Sequence, residues 1–376
     1  MKKPLEGLFV VEMTSYWAAT TTARFLRAMG ARVVKIETPP IGDACRYYGR
    51  SMGMPITAEE NPIHDIFNGG KECIALDLKK KENLQIVYNM LEKADMFVTS
   101  TRTSGLKKLG LDWETLHEKY PKLVMGQVTG YGNKGPLVSR PGIDAIAYFG
   151  ANGVVLDTRT DPDSPPIYPT GGMGDTTTGI TLLAGLLAAL YVARDTGVGD
   201  YVMTSLYGTG NYTTAGFATN CNYGYQWPRE AHTMSPMGQG YKCKDGKFIY
   251  VCINRDNLTR IIEDWLDSFE TADEACRVLD SFGVPNSKVY SQQDILKDRH
   301  AWECGWLRKV PLPESMKGPS EEIVLAVGIA DYSGFKPEYK SAPDLGQHTE
   351  EILRDYGLSD DEIHSCIDSW NKSNKL

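Results

Sequence analysis

The chain has 376 residues, 41% hydrophobic and 23% charged, which is enough apolar material for two or three domains and rules out a disordered chain. Its formal net charge of −8 argues against nucleic acid or an anionic membrane surface as a partner, so an anionic ligand must be held by a local cluster of Lys and Arg. The cysteines at 45, 73, 221, 243, 252, 276, 304 and 366 form no C-x-x-C pair and stand at no zinc spacing with the histidines. They read as reduced thiols in a cytoplasmic protein without a metal centre.

In chain order, Met1 to Pro4 lead straight into the apolar run Leu8 to Met13, a buried strand, with no apolar signal region before it. Thr14 and Ser15 are placed to cap a helix from Ala18 to Met29, which Gly30 ends. A second strand follows at Ala31 to Glu37, making a βαβ unit and so a parallel sheet. The pattern recurs with a helix at Glu82 to Ala94, a strand at Asp95 to Val98, a helix at Trp113 to Lys119 and a strand at Leu123 to Val128. The first βα turn reads Thr14-Ser15-Tyr16-Trp17, without the G-x-G-x-x-G fingerprint, so the sheet is Rossmann-like but not an NAD site.

A Gly- and Pro-rich region, Gly130 to Gly174, precedes a long apolar helix from about Thr176 to Arg194. Its most apolar stretch, Gly179 to Val192, falls short of the ~20 residues of a membrane span and reads as buried on all sides. A strand follows at Asp200 to Leu206. From Tyr207 to Trp227 the texture turns to Tyr, Gly, Thr and Asn, and a boundary is placed there. Beyond it come a strand at Gly246 to Ile253, helices at Leu258 to Phe269 and Ala272 to Phe282, an extended Val284 to Tyr290, and a helix at Gln292 to Ala301. The expected organisation is a large Rossmann-like domain over 1–206, with 322–376 packing back on it, and a smaller α+β domain over 207–321.

Three features could carry chemistry. In Gly171-Gly172-Met173-Gly174-Asp175, the glycines allow close approach of a ligand to the backbone and place a carboxylate at the head of the long helix. Asp175 is there either an N-cap or a nucleophile, and the two roles are compatible; the helix N-terminus would keep it ionised and offer free N–H groups to an oxyanion. The segment Gly130 to Pro136, followed by Arg140-Pro141-Gly142-Ile143-Asp144, is either a surface loop or one that closes over a ligand and brings Asp144 as a second carboxylate. Lys71, Arg102, Lys107 and Lys108 follow strands and are either solvated or a phosphate site. Tyr16 and Trp17 either wall an apolar acyl pocket or cover the core. His348 has no Ser, Cys or metal ligand beside it to make it a base.

These segments together resemble the class III CoA-transferases, the group that contains the formyl-CoA:oxalate, carnitine and 2-hydroxyacid enzymes. The resemblance runs in order through Pro4 to Gly7, Gly30 to Glu37, Gly42-Asp43, Asn68 to Lys71, Asp77 to Lys79, Ala94-Asp95, Gly130 to Gly132, Gly142 to Asp144, Gly174-Asp175, Gly197 to Asp200, Gly283 to Pro285 and Ala342 to Thr349. Glu60 to Pro62 and Gly130 to Pro136 look most like the transferases for 2-hydroxy and aryl acids.

What the resemblance implies is an interlocked homodimer and an enzyme that moves CoA from an acyl-CoA to a free carboxylic acid, with CoA as substrate and no tightly bound cofactor. Asp175 would carry the acyl group as an anhydride and then CoA as a thioester. The CoA site would fall at Tyr16, Trp17, Lys71, Ser100, Thr101, Arg102 and Lys108, and a glycine-rich loop at Gly238, Gln239 and Gly240 would shield the intermediate. The related acyl-CoA racemases place a His where Ile143 stands, which disfavours that alternative. The chain also departs from the family after Ile253 to Asp256, where several tens of residues are missing, and at Thr38, where some relatives carry an Arg. A CoA-binding paralogue with reduced catalysis is a further alternative.

Overall fold

The computed structural model describes residues 2–48, 62–159, 163–224, 237–252, 268–312, 321–327, 330 and 332–373. Most of the helix expected at Leu258 to Phe269, Glu60 and Asn61 of the Glu60 to Pro62 segment, and the departure after Ile253 lie outside the described residues.

The chain forms two compact units: Met1–Val154 with Tyr168–Gly216 and Gly305–Leu376, and Val155–Ile167 with Phe217–Cys304. The first is built on six parallel strands, β1 (Phe9–Met13), β2 (Arg32–Glu37), β3 (Glu72–Ala75), β4 (Met96–Thr99), β5 (Val124–Thr129) and β6 (Tyr201–Ser205), in the order β3-β2-β1-β4-β5-β6. This is an α/β fold with a Rossmann-like sheet, as the βαβ pattern implies. The strand order reverses between β1 and β4, so a crevice opens at their carboxyl ends.

Side chains alternate across the sheet and both faces are buried. Val10, Val33, Val98 and Val124 pack under helix Ala18–Ala28 and helix Met173–Thr196, together with Leu26, Leu182 and Leu186. Val11, Val34, Phe97 and Met125 face the other way, against Ile86, Met90, Leu106, Leu116, Ile352 and Ile363. Burial on two faces explains why these strands read as continuous apolar runs.

Several local expectations are corrected. Thr14 and Ser15 do not cap the first helix: its N-cap is Trp17, with no side-chain cap. The Thr14 hydroxyl turns inward to Glu12 (2.5 Å), and that of Ser15 donates to Asp43 (2.9 Å). The long helix begins at Met173, not Thr176, and is not buried all round, since Ile180, Tyr191 and Val192 are exposed. The expected Gln292 to Ala301 helix is two pieces, Gln292–Ile295 and Arg299–Glu303.

His348 has a structural place. β3 is an edge strand, and its outward N–H groups at Cys73 and Ala75 donate to His348 Nδ1 (3.1 Å) and Thr349 Oγ1 (3.1 Å). The C-terminal segment thus covers an edge that would otherwise be open to pairing.

The second unit has an antiparallel sheet of Met237–Lys242, Phe248–Cys252 and Asn286–Lys288 against helix Ala272–Ser281. Its core holds Tyr241, Ile249, Val251, Phe269 and Leu279.

Candidate active site

A cavity of about 640 Å³ opens in the first unit at the carboxyl ends of β1, β4 and β5. Asp144 and Asp175 lie in it; Tyr16, Trp17 and Tyr48, Ser100 and Arg102, Val138 to Arg140, and Gly142 with Ile143 line it.

Asp175 stands in the first turn of helix Met173–Thr196, whose N-cap is Gly172 rather than Asp175. Gly172 has φ +83°, a left-handed conformation that suits glycine, and a Cβ there would overlap the Trp17 ring. Trp17 in turn stacks on Phe67 with ring centroids 5.1 Å apart, and its Nε1 donates to Cys45 Sγ at 3.2 Å. A Cβ on Gly174 would overlap Tyr148 and Asp144. The two glycines therefore let an aromatic wall and a carboxylate close on the helix head.

The helix is capped from a distance. Asp144 Oδ1 accepts from the Asp175 N–H (2.9 Å), and Oδ2 accepts from the Gly172 N–H (2.9 Å) and the Tyr168 hydroxyl (2.6 Å). Two of the N–H groups expected to be free for an oxyanion are thus occupied. The expectation that the helix head keeps Asp175 readily ionised is also overturned. Burial, and then the charge of Asp144, push the Asp175 carboxyl up to about 7. Among the described residues its side chain has no hydrogen-bond or ion-pair partner, so no counter-charge offsets these two effects.

Of the residues singled out in the sequence, Tyr16, Trp17, Ser100, Arg102, Asp144 and Asp175 share this cavity. Thr101 does not line it; its carbonyl accepts from Gln127 Nε2 at 2.7 Å. Lys108 is exposed in the last turn of helix Thr103–Leu109 and does not line it either. Lys71 is corrected outright. Its ammonium is buried against Glu12 at 2.7 Å and the Thr20 carbonyl at 3.2 Å, and burial pushes it down to about 8 despite Glu12. A phosphate cannot reach it there. Gly238, Gln239 and Gly240 lie not in a loop but in strand Met237–Lys242 of the second unit.

The cavity also contains residues not singled out as ligands: Tyr48, Tyr168, Val138 and Arg140. Arg140 stands over the Tyr131 ring at 5.7 Å, and neither it nor Arg102 has a carboxylate partner among the described residues. Tyr168 sits in a segment without periodicity, where only its tertiary bond to Asp144 reveals it. The site therefore combines a carboxyl raised by burial, a second carboxylate that holds its helix, apolar walls and two guanidinium groups without a carboxylate partner among the described residues, a set suited to a covalent acyl acceptor beside an anionic ligand.

Among solved structures, the fold resembles that of a CAIB/BAIF family protein from Brucella suis, with TM-score 0.80 and 23% identity, covering 94% of this chain and 100% of that one. It also resembles a hypothetical protein from Mycobacterium tuberculosis, with TM-score 0.77 and 22% identity, covering 94% and 99%. These likenesses define the class of α/β fold. The family model described as CoA-transferase family III matches residues 5–259 and 252–349, so the chain belongs to that family and is an enzyme of its class. The two matched stretches overlap at 252–259.

Curated relatives agree with that assignment. The (R)-2-hydroxy-4-methylpentanoate CoA-transferase of Clostridioides difficile is 33% identical, over 97% of this chain and 98% of its own length. The cinnamoyl-CoA:phenyllactate CoA-transferase of Clostridium sporogenes is 34% identical over 95% and 94%. The formyl-CoA:oxalate CoA-transferase of Escherichia coli O157:H7 is 27% identical over 96% and 98%.

Proposed function

We propose that this transferase moves CoA between 2-hydroxy or aryl carboxylic acids and that Asp175 is its nucleophile. One observation carries the reading: a carboxyl without a side-chain partner among the described residues stands at a helix head inside a cavity with apolar walls.

Asp175 attacks the donor thioester carbonyl and expels CoA thiolate, leaving a mixed anhydride. The thiolate attacks the aspartyl carbonyl, releases the donor acid and forms an aspartyl-CoA thioester. The acceptor carboxylate attacks that carbonyl and expels thiolate, giving a second anhydride. Thiolate then attacks the acceptor's acyl carbon and restores Asp175. A carboxylate lifted toward neutrality is a stronger nucleophile than a solvated one, and apolar walls protect both acyl intermediates from water.

Asp144 and Tyr168 fix the helix head that aims Asp175. Tyr16, Trp17 and Tyr48 give the acyl chain an apolar wall suited to a branched or aromatic group. Ser100, Arg102 and Arg140 provide donors for CoA phosphates. The exposed Ile180, Tyr191 and Val192 on the long helix support a homodimer that covers this face. That none of the eight cysteines is in a disulfide supports a reducing, cytoplasmic setting.

The test is an exchange assay of several acyl-CoA donors against a panel of carboxylic acids. Transfer to 2-hydroxy or aryl acids, lost in Asp175→Ala, supports the reading. Undiminished transfer by Asp175→Ala overturns it.

A further inference from the structure

Tyr16 is the one described residue other than glycine whose backbone lies in the left-handed region, with φ 61°. A bulky aromatic does not rest there unaided. It lies in the turn between β1 and helix Ala18–Ala28 and lines the cavity, its ring edge-on to Tyr48 at 5.9 Å.

What holds the turn is a buried carboxylate outside the cavity lining. Asp43 Oδ1 accepts from the Tyr16 N–H, the Ser15 hydroxyl and the Cys45 N–H, each at 2.9 Å. Its other oxygen takes the Lys35 ammonium at 2.5 Å, and Lys35 also donates to Asn68 at 2.9 Å. Asp43 and Lys35 are both almost fully buried. The same short segment holds Trp17, because Cys45 Sγ accepts from its indole N–H. The Trp17 ring then abuts Gly172 at the head of the helix that bears Asp175.

We infer that Asp43, anchored by Lys35, is a positioning residue that locks the strained Tyr16–Trp17 turn into the shape that receives the acyl-CoA. A buried charge suits this task. Three donors converge on one oxygen, and the ion pair behind it keeps that oxygen negative and fixed. Asp43 acts through Tyr16 and does not itself touch the reacting atoms.

The inference rests on the CoA-transfer reading, so the test reads CoA binding by calorimetry as well as turnover. Asp43→Asn is compared with Leu116→Ala, a core truncation in helix Trp113–Lys119 outside the cavity lining. Loss of charge-assisted bonds predicts that Asp43→Asn raises the CoA dissociation constant and the KM for acyl-CoA about tenfold or more, with kcat changed by less than about threefold. Leu116→Ala lowers Tm but leaves both constants unchanged.

The decisive arm repeats Asp43→Asn in a Tyr16→Gly background. Glycine adopts the left-handed conformation freely, so the effect of Asp43→Asn shrinks to about twofold or less. An equal effect in both backgrounds, or none in the first, overturns the inference. If Asp43→Asn does not fold, Lys35→Met/Asp43→Asn, which removes both charges together, replaces it in both arms. A wild type that binds CoA but exchanges nothing sinks the CoA-transfer reading, while the binding arm still decides the role of Asp43.

Discussion

Asp144 and Asp175 are joined through the backbone: one oxygen of the Asp144 carboxylate accepts the N–H of Asp175 at 2.9 Å, while the other holds Gly172 and Tyr168. The same carboxylate that fixes the helix head also raises the Asp175 carboxyl by its charge. Burial raises that carboxyl further still, so Asp144 fixes the position of the proposed nucleophile and adds to the effect of burial on its charge state.

Asp144→Asn separates the two effects. Removing the negative charge lowers the Asp175 pKa, so the acid limb of the activity profile moves to lower pH. Asn retains one acceptor of the cap, so the loss of stability is about 0.5–2 kcal/mol, the usual value of a lost helix cap. A pH–rate profile and thermal melts of the variant check both.

The pH dependence of the wild type has a definite sign. As the proposed nucleophile, Asp175 must be ionised to attack, so kcat/KM is predicted to rise with pH through about 7. Stability runs the other way. The folded-state pKa is raised, so the protonated form favours folding, and this contribution is complete below the unfolded value, near 3.8. It is lost as pH rises from there through about 7. Asp175→Asn is predicted to flatten that part of the Tm-against-pH curve.

Gly172→Ala combines left-handed strain with overlap of the Trp17 ring. The expected loss is about 2–6 kcal/mol, summing backbone strain and overpacking. Denaturant melts measure it, and Trp fluorescence reports displacement of the Trp17 wall.

Lys71→Met removes the shorter of the two ion pairs of buried Glu12 and leaves it with Lys35 at 3.7 Å and the Thr14 hydroxyl, so the expected loss stays below the about 3–5 kcal/mol of a wholly unpaired buried charge. Because the ammonium does not reach the cavity, the KM for acyl-CoA of the folded variant stays at the wild-type value. A rise in KM without loss of stability would return Lys71 to the CoA site.

The parallel sheet was legible because adjacent residues such as Val10 and Val11, or Val33 and Val34, bury opposite faces and leave long apolar runs. Strand Glu72–Ala75 escaped notice because four residues carry too little pattern. Asp175 was marked by the glycines around it, whose need is local. Lys71 was misread because a lysine after Asn68-Gly69-Gly70 looks the same in sequence whether it meets solvent or Glu12. The roles of Asp43 and Asp144 were hidden because each acts across the fold, Asp43 on a turn 27 residues earlier and Asp144 on a helix head 28 to 31 residues later.

The most direct measurement is mass spectrometry of the intact and digested enzyme after mixing with acyl-CoA and trapping with hydroxylamine or borohydride. The account predicts modification of Asp175 alone, absent from Asp175→Ala. An unmodified Asp175 in an enzyme that is turning over would contradict it.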